Sequence, residues 1–171
     1  MKISRITLYS VPLDIGMNLT RYVADQIIEP RLDTLIVKLD TDDGLTGWGE
    51  ACSAPPYYLP ELSAAAPAGV IHVAPLILAQ DPRQIRPLHH GIERALRGHG
   101  NAKSAIDMAW DLCGKAAGQA LVDLWGGRVS DAVPVFAVVR IGTRDDVVAS
   151  LARYRAIGYS RFPDQDPGGE G

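Results

Sequence analysis

The sequence predicts an α+β fold: a three-stranded antiparallel meander with helices, followed by the opening strand, helix and strand of a β/α alternation. Three observations carry this. Asp43-Gly44 lies between two apolar-alternating runs, 35–39 and 45–52, and Asp-Gly suits a tight hairpin turn because its backbone accepts positive φ. After Tyr58 the apolar period changes from that of a strand to that of a helix. Residues 133–141, VPVFAVVRI, form a nearly continuous β-branched run, the pattern of a strand buried on both faces.

In chain order, residues 2–11 alternate through Ile3, Ile6, Leu8 and Val11 and read as a first strand ending at Pro12. Residues 14–30 have no clear period and hold Gly16, Asn18, Tyr22 and Asp25, so a long loop able to fold over something is expected. Residues 32–41 and 45–52 complete the meander. Gly47 and Gly49 flank Trp48, which leaves one face of the third strand bare enough for a neighbouring backbone to come close. Glu50 closes that strand. The loop 51–60 then carries Pro55-Pro56 and Tyr57-Tyr58, and loops held on rigid scaffolds are where binding residues tend to lie. A calcium loop built on Asp40, Asp42 and Asp43 fails, because Gly44 takes the fifth position, where a ligand is needed, and Leu45 the sixth, where glycine is needed.

The helical part begins with alanine-rich 61–66. Pro67 would cost about 3 kcal/mol inside a helix, so either a helix starts there or the local helix is damaged. Residues 70–78 and 85–97 are further helices, separated by the Asp81-Pro82 turn. Residues 101–117 form the best helix of the chain: Ala102, Ala105, Ile106, Ala109, Leu112, Cys113 and Ala116 recur at spacings of three and four. Its other face offers Lys103 with Asp107 and Asp111 with Lys115 as i,i+4 pairs, Asn101 is the expected N-cap, and its alanine stripe would admit a close neighbour. A short helix at 121–125 stops at Gly126-Gly127. After the apolar run, 144–157 is an amphipathic helix with Val147, Val148, Leu151, Tyr154 and Ile157 on one side, capped by Gly158, and 159–162 starts another strand. Residues 163–171, PDQDPGGEG, contain no apolar residue and are expected to be a disordered tail.

Composition excludes several classes. With 171 residues, 47% hydrophobic and 22% charged, the chain can bury a core. A net charge of -3 with scattered Lys and Arg gives no nucleic-acid footprint. Cys52 and Cys113 match no zinc spacing, and the N-terminal MKISRITLYS lacks the apolar core of a signal peptide, so a reduced, cytoplasmic setting is expected. The most apolar stretch, 70–79, is interrupted by His72 and Pro75 and is about half the ~20 residues that span a bilayer. His72, His89, His90 and His99 are too scattered for a metal cluster, and adjacent His89 and His90 point about 100° apart on a helix. Cys113 falls on the apolar stripe as a core residue.

The meander ending in GWGE, the helix AIDMAWDLCGKAAGQ, the Trp-Gly-Gly stop and the buried strand, helix and strand together resemble the N-terminal part of the mandelate racemase and muconate lactonizing enzymes of the enolase superfamily. The likeness covers Met1 to about Phe162. DDGLTGWGEACSAPPYYLP, GHGNAKSAIDMA and GRVSDAVPVF look like the subgroup acting on proline derivatives, such as hydroxyproline dehydratases and hydroxyproline-betaine epimerases. The resemblance implies a capping domain at 1–127, the start of a modified (β/α) barrel at 128–162, and an aberrant tail at 163–171. It implies a Mg²⁺-dependent enzyme that abstracts the proton α to a carboxylate, with its chemistry at the ends of barrel strands. The partner it implies is a small amino-acid-like carboxylate. The two capping loops then place Tyr22, Tyr57 and Tyr58 as substrate contacts, against the plainer reading of surface aromatics packed on the cap's own helices.

The departures from the family pattern are as informative. Gly158-Tyr159-Ser160-Arg161-Phe162 is the lead to a Lys-x-Lys pair, but Pro163-Asp164-Gln165-Asp166 stands where the lysines belong, and no lysine follows Lys115. Ala109-Trp110-Asp111 has one residue fewer than the family between its Ala and its Trp-Asp, which would rotate everything after it by about 100°. With Pro67, these faults suggest a degraded or truncated copy. The expectation is a fragment with no catalytic residue, no metal ligand and no bound Mg²⁺ of its own, inactive as an isolated chain and prone to self-association or homo-oligomer formation. The alternative is a stand-alone cap-like module that binds a ligand or partner without catalysis.

Overall fold

The computed structural model describes residues 1–14, 31–52, 64–139 and 143–162. The chain divides into two compact units, one of them Met1–Ile15 with Arg31–Arg128; the described residues of the other include 129–139 and 143–162.

In the first unit, β1 (Ile3–Asp14), β2 (Arg31–Thr41) and β3 (Thr46–Ala51) form an antiparallel meander in the order β1-β2-β3. Leu8 and Gly49 lie opposite Val37 on either side of β2, so the inner face carries Ile6, Leu8, Leu35, Val37 and Leu39. β1 does not end at Pro12. Pro12 pairs opposite Asp33 and the strand runs on to Asp14, because an edge strand has a side on which a missing N–H costs no ladder bond. In the hairpin turn Gly44 alone takes a positive φ, 88°; Thr41 N–H donates to Leu45 O at 3.0 Å, and its hydroxyl is shared between Asp43 and Leu45. This is a longer turn closed by a left-handed glycine, not a two-residue loop with both central residues at positive φ.

Helix α1 (Ala65–Ile77) buries Ala66, Val70, Val73 and Ile77. Pro67 is its third residue, within the first turn, where N–H groups have no intrahelical acceptor, so of the two expectations the helix start near Pro67 holds and the damaged helix does not arise. α2 (Ile85–Ala95) follows with Leu88 and Ile92 buried. The predicted helix over 101–117 is two helices, α3 (Gly100–Met108) and α4 (Asp111–Ala117). The N-cap of α3 is His99, left-handed at φ 53°, and not Asn101. α5 (Leu121–Leu124) ends at Gly126 and Gly127, both at positive φ.

The glycines of β3 and the alanines of α3 meet. A Cβ on Gly49 would lie 1.8 Å from Ala105 O, and one on Gly47 would lie 1.9 Å from Ala109 O. Helix backbone thus rests on strand backbone, a proximity only glycine allows. Around this contact Val37, Leu39, Val70, Ile106, Trp110 and Leu112 are fully buried in one core. Cys113 is part of that core, as its place on the apolar stripe predicts.

In the second unit, α6 (Arg144–Ala156) opens on a reciprocal capping box: Asp146 N–H donates to Thr143 Oγ1 while the Asp146 carboxylate accepts from Thr143 N–H. Gly158, at φ 101°, closes it. The flanking strands expected over 133–141 and 159–162 do not form among the described residues. Ala137 N–H donates to Arg161 O at 3.1 Å, but no ladder develops. A central parallel strand is held by neighbours on both edges and both faces, whereas Val133, Val135 and Phe136 are exposed at 79%, 61% and 60%.

Candidate functional site

The register of the meander fixes where the two predicted capping loops attach. Asp14 pairs with Arg31 and Leu35 with Ala51, so the chain leaves β1, re-enters β2 and leaves β3 at the same end of the sheet. That end is tied laterally: the buried Thr34 hydroxyl sits 2.7 Å from Glu50 Oε1 and 3.1 Å from Ala51 O. Glu50, the acid of GWGE, therefore anchors the strand end across to β2. Exposed Cys52 is the last described residue before the second loop. Tyr22, Tyr57 and Tyr58 lie outside the described residues.

On the far side of the sheet, Trp48 stacks with Tyr9 at 6.1 Å between ring centroids and Lys38 Nζ sits 5.6 Å over the indole. The aromatic and cationic side chains give this face an amphipathic character.

The acidic residues of the hairpin do not make a metal site. The Lys38 ammonium beside Asp40, 2.9 Å away, lowers its carboxyl below the usual range. Lys2 N–H donates to Asp42 and lowers that carboxyl too, while Asp43 accepts from Thr41. Among the described residues no three His, Cys, Asp or Glu side chains converge, so these residues do not fit a resident divalent cation.

The helices hold a polar cluster that the sequence reading missed. Lys103 does not pair with Asp107; its Nζ lies 2.8 Å from Glu93 of α2. Asp107 instead faces His89, Oδ1 to Nε2 at 2.7 Å, and the same Nε2 receives the Trp110 indole N–H at 2.9 Å. Spacing within one helix cannot see a neighbouring helix, and that is why the i,i+4 assignment failed at Asp107. It holds at Asp111, whose Oδ2 is 2.6 Å from Lys115; Lys115 also donates to Thr46 O, fastening α4 to β3. His89, Glu93, Lys103, Ser104 and Asp107 line an open groove of ≈ 360 Å³ between α2 and α3. Cys113 donates toward Pro82 O, and burial pushes its thiol up to about 11, which leaves it inert as a nucleophile at neutral pH. No helix among the described residues is long and apolar enough to cross a membrane.

Comparison with known proteins bears on this geometry. Residues 31–126 match the family model "Mandelate racemase / muconate lactonizing enzyme, N-terminal domain". The chain is 33% identical over 163 residues to the cis-3-hydroxy-L-proline dehydratase of Roseibium aggregatum, covering 95% of this chain and 44% of that protein. It is 29% identical over 164 residues to the N-succinyl-L-Arg/Lys racemase of Bacillus cereus, covering 95% and 43%. Among solved structures, an enolase-superfamily member from Roseovarius nubinhibens, complexed with magnesium, superposes with a TM-score of 0.81 at 33% identity, covering 94% of this chain and 43% of that one. The chain thus spans less than half the length of the relatives it matches.

Proposed function

The chain belongs to the mandelate racemase / muconate lactonizing enzyme family, and on that premise we propose that residues 1–127 are the capping domain of an enzyme that removes the proton α to the carboxylate of a small, amino-acid-like substrate. Hydroxyproline-like acids are the favoured class, with dehydration or epimerisation as the outcome. The observation that carries this reading is the common attachment of the two expected capping loops, 14–31 and 51–60, to one end of the meander. Two segments rooted side by side on a rigid, hydrogen-bonded sheet end can fold over one bound molecule, and closing loops over a substrate excludes water and fixes its orientation. In this role Tyr22, Tyr57 and Tyr58 are substrate contacts.

Residues 128–162 are, on the same reading, the start of the barrel, with 163–171 a tail of aberrant sequence. The described residues hold no ligand set for Mg²⁺ and no lysine follows Lys115, so the 171 residues by themselves are expected to be catalytically inactive, and their part in the reaction is to enclose the substrate. A cytoplasmic setting and assembly as a homo-oligomer complete the proposal.

The test is a chimera in which residues 1–127 replace the corresponding cap of the Roseibium aggregatum dehydratase. We expect a folded, Mg²⁺-dependent dehydratase whose KM for cis-3-hydroxy-L-proline rises about tenfold or more in Tyr58→Ala, while the isolated 171-residue chain shows no turnover. A folded chimera that binds Mg²⁺ normally but is inactive toward hydroxyproline-like acids and N-succinyl amino acids would overturn the capping role.

A further inference from the structure

His89 Nε2 is faced by two groups that it cannot satisfy together. The Trp110 indole N–H lies 2.9 Å away and requires a lone pair on Nε2. Asp107 Oδ1 lies 2.7 Å away and requires a proton there. In the arrangement seen, the indole has its acceptor, and Asp107 Oδ1 is buried without a hydrogen bond. Trp110 itself is fully buried, so its N–H has no water to turn to, and an unsatisfied buried donor is costly. A single nitrogen is a donor in the imidazolium and an acceptor in this neutral tautomer, never both.

We propose that His89 is a proton-driven selector: neutral, it binds the Trp110 indole; protonated from solvent at Nε2, it donates to Asp107 and releases Trp110. The element it biases is the junction between α3 and α4. Ala109 and Trp110 lie between the two helices, Ala109 O is in contact with Gly47 of β3, and the His89 bond ties this junction to α2. Other charged groups stand on the neighbouring elements, among them Asp111 and Lys115 of α4, which pair with each other. On α3, Lys103 is held by Glu93 of α2. α2 otherwise presents Arg86, His90 and Arg94, and α1, also against α2, carries only His72 as a titratable group. The test spans the range over which imidazoles ordinarily change charge, about pH 5 to 8.

The test uses the full 171-residue chain and the indole ¹⁵N–¹H resonances of its three tryptophans. Between pH 8 and pH 5 the Trp110 indole is expected to shift and to lose at least tenfold of its protection from hydrogen exchange, after correction for intrinsic rates, while Trp48 and Trp125 do not follow. In His89→Gln, whose amide cannot change charge, the Trp110 signal should be independent of pH. Should His89→Gln fail to fold, Asp107→Asn serves: without the carboxylate acceptor, Trp110 should keep its protection to a lower pH than in the wild type. A Trp110 resonance indifferent to pH in the wild type, or one that titrates identically in the variants, overturns the proposal.

Discussion

Replacing Gly49 by alanine should separate α3 from β3. The new Cβ would lie 1.8 Å from Ala105 O and 2.8 Å from Ala105 C, where ordinary contact begins near 3.4 Å, so the two backbones must part by about 1.5 Å. No flexible side chain can yield, because the obstructing atoms are helix backbone. Overpacking of this kind costs about 1–3 kcal/mol, against about 0.5–1 kcal/mol returned by removing glycine's unfolded-state freedom. A net loss of about 1–2 kcal/mol is expected, which with a urea m-value of about 1–3 kcal/mol/M moves the midpoint down by roughly 0.5–1 M. Gly47→Ala meets the turn that ends this helix, at Ala109 O. Once α3 has been displaced by one methyl, the second meets less resistance, so the double variant should cost less than the sum of the singles. Gly91, on α2 with open space around its missing Cβ, is the control: Gly91→Ala should stabilise by up to about 1 kcal/mol. Urea unfolding followed by far-UV circular dichroism measures all four variants. A Gly49→Ala midpoint at or above that of the wild type would refute the claim that backbone contact, and not merely strand conformation, demands glycine here.

Two further outcomes follow from burial. The Cys113 thiol is raised from an ordinary value near 9 to about 11 in the folded chain, so the folded state holds this proton more tightly than the unfolded state. The resulting stability is intact below about pH 9 and is lost between about pH 9 and 11, amounting to about 2–3 kcal/mol at most. Wild type minus Cys113→Ala unfolding free energies, measured from pH 8 to 11, should fall across that window; a flat difference refutes the assignment. In limited proteolysis, residues after 128 should be cut first while 1–127 persists, and the chain should self-associate, since Val133, Val135, Phe136, Val148 and Ile157 are all exposed. A monodisperse monomer whose amides at 133–157 are as protected as those at 35–52 would count against this.

The meander was legible because its signals are local. Asp43-Gly44, the alternation on either side, and the glycines around Trp48 each specify something within a few residues, and the alanine stripe of 101–117 specifies the complementary surface. Only the pairing of those two surfaces needed three dimensions. The polar cluster was not legible for the converse reason: His89, Asp107 and Trp110 come from α2, α3 and the junction, and the nearest sequence partner of Asp107, Lys103, was spatially nearer to Glu93. The strand expected at 133–141 does not form over 133–139, because a buried-strand pattern reports the burial a segment needs and not the neighbours it has. Tyr22, Tyr57 and Tyr58 lie outside the described residues and rest on family likeness alone, since nothing in their spacing converges by itself.

The interruption between α3 and α4 leaves one core intact on both sides of it. A spacing one residue short, as the family resemblance implies, would turn Leu112 and Cys113 about 100° away from the stripe set by Ala102, Ala105 and Ile106. Yet both remain buried with those residues. The hydrogen bonds show how. Ala109 N–H bonds to Ile106 O, Trp110 N–H to Asp107 O, Leu112 N–H to Ala109 O and Cys113 N–H to Trp110 O, each three residues back and not four. Ala109 and Trp110 accordingly have ψ of -9° and -2°, far from the α-helical value of about -42°. A turn of this tighter kind advances about 120° per residue instead of about 100°, so some four or five residues recover about 80–100°, nearly all of the lost rotation. The tightening is confined to the stretch that carries Trp110, and it presents the indole inward, where an N–H must find an acceptor. His89 supplies one from the adjacent helix. The local tightening and the His89 bond thus go together: inserting a residue between Ala109 and Trp110 should let α3 and α4 fuse and remove the need for that bond.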